Sequence, residues 1–317
     1  MKNEKLFRAL LIGCGNIGFR YDHNDKDLIT THASAFNSCS DIIFDVSDSN
    51  EETAVQAANH YGANHIGFEE LEEKELNHYD IISIATPTDS HANFLCRAIN
   101  ENVKVAICEK PISYNLEDIA RIKNVYNEPK SNTKVLVNYT RRFQPLYLDL
   151  KKRIKSLNKK ENCSNITISY QRGFINNGSH AIDLLQFLFD EIIAFDKMQI
   201  IDHYNDAFIE DPTITANFFL RDTVVSMIGL HGFKIPVFEI NLFFETTKIC
   251  LLNFGNVIEL YQSGENELRQ SNILDDSMLN VIKHAKSYFM CDNQLDNFDE
   301  SLELNTKMLK IINDIRI

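Results

Sequence analysis

Phe7-Arg8-Ala9-Leu10-Leu11-Ile12-Gly13-Cys14-Gly15-Asn16-Ile17-Gly18 decides the fold of this chain. Six residues with the apolar character of a buried strand run directly into G-x-G-x-x-G, and a helical pattern follows. In that setting the first glycine permits a tight turn and the second lets backbone approach a pyrophosphate. The third lets helix pack on strand, with the helix N-terminus facing the phosphates. Gly13, Gly15, Asn16, Ile17 and Gly18 are therefore expected to hold a dinucleotide. A glycine-rich turn with no ligand is the bland alternative.

Outward from this turn the pattern repeats. Ile42 to Val46, Ile81 to Ala85, Lys104 to Cys108 and Lys134 to Tyr139 read as further buried strands. Helical patterns over Glu51 to Tyr61, His91 to Asn100 and Asn115 to Tyr126 separate them, which predicts βαβ units and a parallel sheet. Asp48, at the end of the second strand, is the candidate ribose carboxylate. It would accept hydrogen bonds from the adenosine hydroxyls and repel a 2′-phosphate, so NAD is expected and NADP less so. Asp41 and Asp45 stand nearby, but Asp45 lies inside the strand. From Gly18 to Asp48 the count is 48 − 18 = 30 residues, against about 20 in the usual fingerprint. The surplus lies in Tyr21-Asp22-His23-Asn24-Asp25-Lys26-Asp27, an excursion interrupting the first helix, which resumes near Thr31-His32-Ala33. It is expected to rim the active-site cleft, with Tyr21 or His32 in reach of substrate or nicotinamide.

Beyond Tyr139 the rhythm changes. Pro145 suits the first turn of a helix with Leu146, Leu150, Ile154 and Leu157 on one stripe, closed by a polar loop, Asn158 to Ser164. Longer strands then follow at Thr213 to Leu220, Thr223 to Leu230, Val237 to Glu245, Lys248 to Leu252 and Asn256 to Gln262, predicting a mostly antiparallel sheet. Helices at Ser277 to Met290 and Asp299 to Ile315 finish the chain. The expected class is α/β: an N-terminal Rossmann domain over 1–138, a C-terminal α+β sheet domain over 139–298, and a last helical segment, 299–317.

Composition narrows the function classes. Hydrophobic residues make up 44% and charged residues 24% of 317, as in ordinary globular proteins. The formal net charge of −13 argues against a nucleic-acid partner, which would meet a basic face. No apolar run nears ~18 residues, so no membrane span is expected. Met1-Lys2-Asn3-Glu4-Lys5 leads straight into a strand without an apolar leader, and a cytoplasmic location is expected. Seven cysteines, an odd number without CxxC spacing, read as reduced buried thiols, and no metal site is expected.

Two more strand ends carry chemistry: Ala85-Thr86-Pro87-Thr88-Asp89-Ser90-His91-Ala92 and Cys108-Glu109-Lys110-Pro111-Ile112-Ser113. A lysine closing a buried strand beside a cofactor turn is either a functional amine or one partner of an ion pair with Glu109. Together with GCGNIG and Asp48, and with Asn176-Asn177-Gly178-Ser179-His180-Ala181-Ile182-Asp183 further on, these runs closely resemble the glucose–fructose oxidoreductase/inositol dehydrogenase (Gfo/Idh/MocA) family. The resemblance implies an oxidoreductase acting on CH–OH groups, with a substrate and subunit-contact sheet in the second domain. A homodimer or homotetramer through that sheet follows, with the last helix packing back on the first domain.

By the same resemblance Lys110 is the acid/base group on the reacting hydroxyl and His180 its partner. Glu109 and Pro111 shape the nicotinamide pocket, and Thr86, Pro87 and His91 line the cofactor. The family commonly has aspartate where this chain has Asn176, which can orient a substrate but cannot take a proton. That variant is similar to members acting on nucleotide-linked sugars and associated with surface polysaccharide synthesis. Tyr139, Arg142 and Asn177 become candidate substrate contacts, Arg142 or Arg141 through a phosphate. Alternatives are an inositol or free-sugar dehydrogenase, and a catalytically silent NAD or sugar sensor.

Overall fold

The computed structural model describes residues 6–25, 27–263, 268–290 and 296–315. Lys26 and Cys291 lie outside the described residues. The chain divides into two compact units, 1–140 with 275–306, and 141–274 with 307–317.

In the first unit, strand β1 (Phe7–Ile12) is followed by a π-helical turn, Asn16–Arg20, and the short helix α1 (His32–Asn37). Then come β2 (Ile42–Ser47), α2 (Glu51–Tyr61), β3 (Asn64–His65), α3 (Phe68–Glu73), β4 (Ile81–Ile84), α4 (Thr88–Asn100), β5 (Val105–Cys108), α5 (Leu116–Tyr126) and β6 (Lys134–Val137). Every pairing is parallel, and the strand order β3-β2-β1-β4-β5-β6 is that of a doubly wound dinucleotide-binding sheet. Leu10, Leu11, Ile12, Ile82, Ile84, Ala106 and Ile107 are fully buried. Both faces of the central strands are covered, which is why they read as unbroken apolar runs rather than alternating ones. α2 is framed by an Asn50 cap accepting from Thr53 and by Gly62 in the left-handed region (φ +67°).

The second unit opens with α6 (Pro145–Leu157), with proline in the first turn as expected. It continues through β7 (Cys163–Tyr170), a second π-helical turn (Phe174–Gly178), α7 (Ser179–Phe189), β8 (Gln199–Tyr204), β9 (Thr213–Leu220), β10 (Thr223–Gly229), β11 (Phe238–Phe244), β12 (Thr247–Leu252), β13 (Val257–Gln262) and β14 (Leu268–Ser271). The sheet order is β14-β13-β12-β11-β7-β10-β9-β8. All its pairings are antiparallel except β7 with β10. Cys163 and Ser164, expected in a loop, already belong to β7, a strand at the middle of the sheet.

Helices α8 (Ser277–Ser287) and α9 (Phe298–Ile315) end the chain. Residues 275–298, expected with the second domain, instead pack with the first unit. Ile29 N–H donates to Asp275 O (2.7 Å), Met278 N–H to Ile29 O (3.1 Å), and Lys286 pairs with Asp41 (2.5 Å). Just before α9, Asn297 acts as a strand substitute on the β6 edge, accepting from Val137 N–H and donating to Val137 O, each at 2.9 Å. Asp296 accepts from Val135 N–H at 3.0 Å. The outer groups of β6 are thus satisfied without a seventh strand. The six described cysteines are free and buried. Among the described residues no helix is long and apolar enough to cross a membrane, and no cluster fit for a metal ion occurs.

Candidate active site

At the dinucleotide turn the glycines divide the work as their positions require. Gly13 has φ +97°, and a Cβ there would stand 2.5 Å from the Ala85 carbonyl carbon of the neighbouring strand end. A Cβ on Gly18 would stand 2.1 Å from Gly13 O, so helix and turn touch there. Nothing lies within 4 Å of a Cβ on Gly15, and the helical turn beginning at Asn16 has no side-chain cap. An open face over an uncapped helix start suits an incoming diphosphate, so the residues present fit a dinucleotide.

Asp48 stands at this turn. Its Oδ2 accepts from Cys14 N–H (2.6 Å) and its Oδ1 from Asn50 N–H (2.8 Å). Asp45 instead accepts from Tyr79 and Asn64. Arg20 reaches over from the π-helical turn and donates to Thr53 Oγ1 at 2.8 Å. This guanidinium belongs to the neighbourhood of the same turn, because burial and Asp48 push the Cys14 thiol up to about 12 while Arg20 pulls it down.

Two further strand ends meet at His91. This buried imidazole lies 2.9 Å from Pro111 O and 2.8 Å from Thr86 O through its two ring nitrogens, tying the β4 and β5 loops together. Ser90 donates at 2.7 Å to Thr86 Oγ1 and lies 2.8 Å from Pro87 O. The Lys110–Pro111 peptide is cis, and Lys110 is half-buried. Beside it Glu109 is buried and accepts on Oε1 from His32 Nε2 (3.0 Å) and from Asn138 Nδ2. Burial alone would raise the Glu109 carboxyl. The His32 and Asn138 hydrogen bonds and the Lys110 charge outweigh it, holding Glu109 below the usual carboxylate range.

The excursion that delivers His32 is closed by Asp22, whose side chain is buried. This carboxylate accepts from Thr30 N–H and Oγ1, Thr31 N–H and Oγ1, and Ser34 Oγ, at 2.6–3.2 Å. Thr31 and Ser34 form a reciprocal capping box at the start of α1. Tyr21 is 66% exposed, so of the two residues singled out in the excursion it is His32 that touches the Glu109–Lys110 strand end.

In the second unit the Asn176–Asp183 motif occupies the π-helical turn and the first turn of α7. Gly173 (φ +91°) turns the chain out of β7. Asp211, buried, then accepts from Ile175 N–H and Asn176 N–H, both at 2.7 Å. Asn177 donates to Gln171 O at 2.9 Å, and Asn176 Nδ2 to Arg172 O at 3.1 Å. His180 is half-buried, with its ring edge-on to Phe238. Arg142 pairs with Asp183, its Nε donating to both carboxylate oxygens at 2.9 Å while Nη2 lies 2.8 Å from Oδ1. Its guanidinium already serves a carboxylate, where a substrate phosphate had been the candidate partner. Arg141 stacks on Phe238 and donates to Phe254 O. Tyr139, in the first unit, is buried.

Residues 7–139 match the sequence profile of the GFO_IDH_MocA oxidoreductase family, NAD-binding Rossmann fold. Over this span the chain is similar to that family. The chain is 30% identical over 153 residues to the scyllo-inositol 2-dehydrogenase (NAD+) of Bacillus subtilis, a match covering 48% of the chain and 41% of the relative. Matches to the curated relatives thus span less than half of their lengths, 41% and 39%. Its fold is similar to UDP-N-acetylglucosamine 3-dehydrogenase from Acidithiobacillus ferrooxidans (TM-score 0.73, 15% identity, 99% of this chain and 97% of that one). It is likewise similar to a 3-ketoreductase from Actinomadura kijaniata solved with TDP-benzene and NADP (TM-score 0.73, 11% identity, 98% and 97%).

Proposed function

We propose that this protein is an NAD-dependent oxidoreductase that moves a hydride between nicotinamide and a sugar carbinol or ketone, the sugar being nucleotide-activated. The observation that carries the reading is the half-buried Lys110, next to a fixed and ionised Glu109 at the strand edge where an open parallel sheet binds its ligand. A bound nicotinamide would supply or accept the hydride. Gly13, Gly15, Asn16, Ile17 and Gly18 would hold its diphosphate, and Asp48 the adenosine ribose. Thr86, Pro87, His91 and Pro111 would form the wall nearer the reacting end. Lys110 takes the hydroxyl proton in oxidation and returns it in reduction. His180 and Asn176 enter as partner and orienting group through the motif they share, with Asn177, Tyr139 and Tyr21 as substrate contacts.

Asparagine rather than aspartate at 176 favours an activated sugar over a free polyol. An inositol dehydrogenase is the second reading, favoured by the Bacillus subtilis relative. Turnover of Lys110→Met decides the chemistry. General acid–base groups contribute about 10²–10⁴-fold, so the variant should bind NAD nearly normally and lose turnover by at least that factor. Turnover like the wild type would remove lysine from the mechanism. A thermal-shift screen of nucleotide sugars against inositols, with NAD present, separates the two substrate classes.

A further inference from the structure

His32 and Asn138 hold Glu109 in a buried polar group, and the hydride chemistry above gives neither of these two holders a role of its own. His32 is fully buried, on the first turn of α1, and Asn138 is buried just past β6. Both aim at one oxygen of Glu109, the residue before Lys110. Asn138 also contacts Met278 Sδ at 3.8 Å, so the carboxamide is held from behind. Ionisable neighbours of the carboxylate are His32 from α1 and, on its own strand end, Lys110 and the buried Cys108 thiol. A buried carboxylate with no donors would take up a proton, because burial penalises its charged form. Two donors from two other elements keep the charge in place and fix where it sits.

Effort in the fold points the same way. The excursion places the His32 backbone only because Asp22 gathers five donors and the capping box sets the start of α1. Such a closed loop is poorly explained as mobile ornament.

We propose that His32 is a positioning residue that locks Glu109 as a carboxylate against Lys110, so that the lysine waits as an ammonium, the proton donor for reducing a ketone. In that step an N–H bond of Lys110 breaks and an O–H bond forms on the former carbonyl oxygen, while reduced nicotinamide gives the hydride to the carbon and is oxidised. The lysine, left neutral, regains its proton from water. This role deepens the reading of Lys110 as the acid/base group and rests on it.

The test reads the amine itself. Acylation of Lys110 in the full-length protein, without substrate or cofactor, is followed by mass spectrometry at fixed pH near 8. An opposite charge close by shifts an ionisable group by about 1–3 pKa units. Glu109→Gln, which keeps shape and loses charge, should therefore raise the labelling rate about tenfold or more. His32→Ala should do the same, and His32→Gln, which keeps a donor, should stay close to wild type. In ketone reduction His32→Ala should lower kcat while leaving the KM for NADH in place. An unmoved labelling rate in Glu109→Gln, or in a folded His32→Ala, overturns the proposal. Wild-type turnover in Lys110→Met would instead sink the underlying reading, so the two failures are distinguishable.

Discussion

Truncating Asp183 to alanine tests a buried ion pair of the second unit. The side chains of Arg142 and Asp183 are 8% and 3% exposed, and three N···O contacts of 2.8–2.9 Å join them. Asp183→Ala leaves the guanidinium buried with its main partner gone, and breaking such a pair costs about 3–5 kcal/mol. For a domain of 150–250 residues roughly 2–4 °C of Tm is lost per kcal/mol, so the unit's transition should fall by about 6–20 °C. Scanning calorimetry measures this, with the two units watched as separate transitions. Replacing both partners, as in Arg142→Met with Asp183→Leu, should recover much of the loss, since burying neither charge avoids the desolvation penalty. His180 sits one turn before Asp183 on α7, so turnover should fall with the single variant. A drop of less than about 1 kcal/mol in Asp183→Ala would show that Arg142 is satisfied without the carboxylate and refute the argument.

Other outcomes are expected. NAD(H) should bind more tightly than NADP(H), and Asp48→Ala should narrow the gap; calorimetric titration giving equal or tighter NADP binding would remove Asp48 from the ribose. If a 2′-phosphate reaches Arg20, which donates to Thr53 beside the same turn, Arg20→Ala should weaken residual NADP binding more than NAD binding. On the outer sheet of the second unit, Phe219 and Val224 are directly opposed and exposed. If copies associate through that sheet, glutamate at both positions should turn a dimer or tetramer into monomers in sedimentation velocity, and an unchanged oligomer would place the contact elsewhere.

Much of the first unit was legible because its information is local. A strand buried on both faces is an apolar run whatever surrounds it, as β4 and β5 are throughout their lengths. What escaped depends on closure in three dimensions. β7 begins Cys163-Ser164-Asn165, and its pattern mixes exposed polar residues with Ile166, Ile168 and Tyr170 on the buried face, so its start passes for a turn. β8 is an edge strand with no fully buried residue, which leaves no hydrophobic signature. Asp22 and Asp211 act by accepting backbone N–H groups from residues that only folding brings to them, and neither carries a periodic or motif signal. Nor does adjacency in sequence say which core a helix joins: residues 275–290 follow β14 directly yet pair with Ile29 and Asp41.

The Asn297 carboxamide on the β6 edge has a practical corollary for anyone dissecting the molecule. A gene fragment ending near residue 140 would encode all six strands of the parallel sheet and still be an unsound expression target. Val135 would lose the carboxylate on its N–H and Val137 the carboxamide on its N–H and C=O, and the bared edge would be open to strand-on-strand aggregation. A shorter cofactor-binding protein would need residues 275–306 spliced on, through a linker or by circular permutation. The compact unit that holds the parallel sheet is therefore discontinuous in its gene.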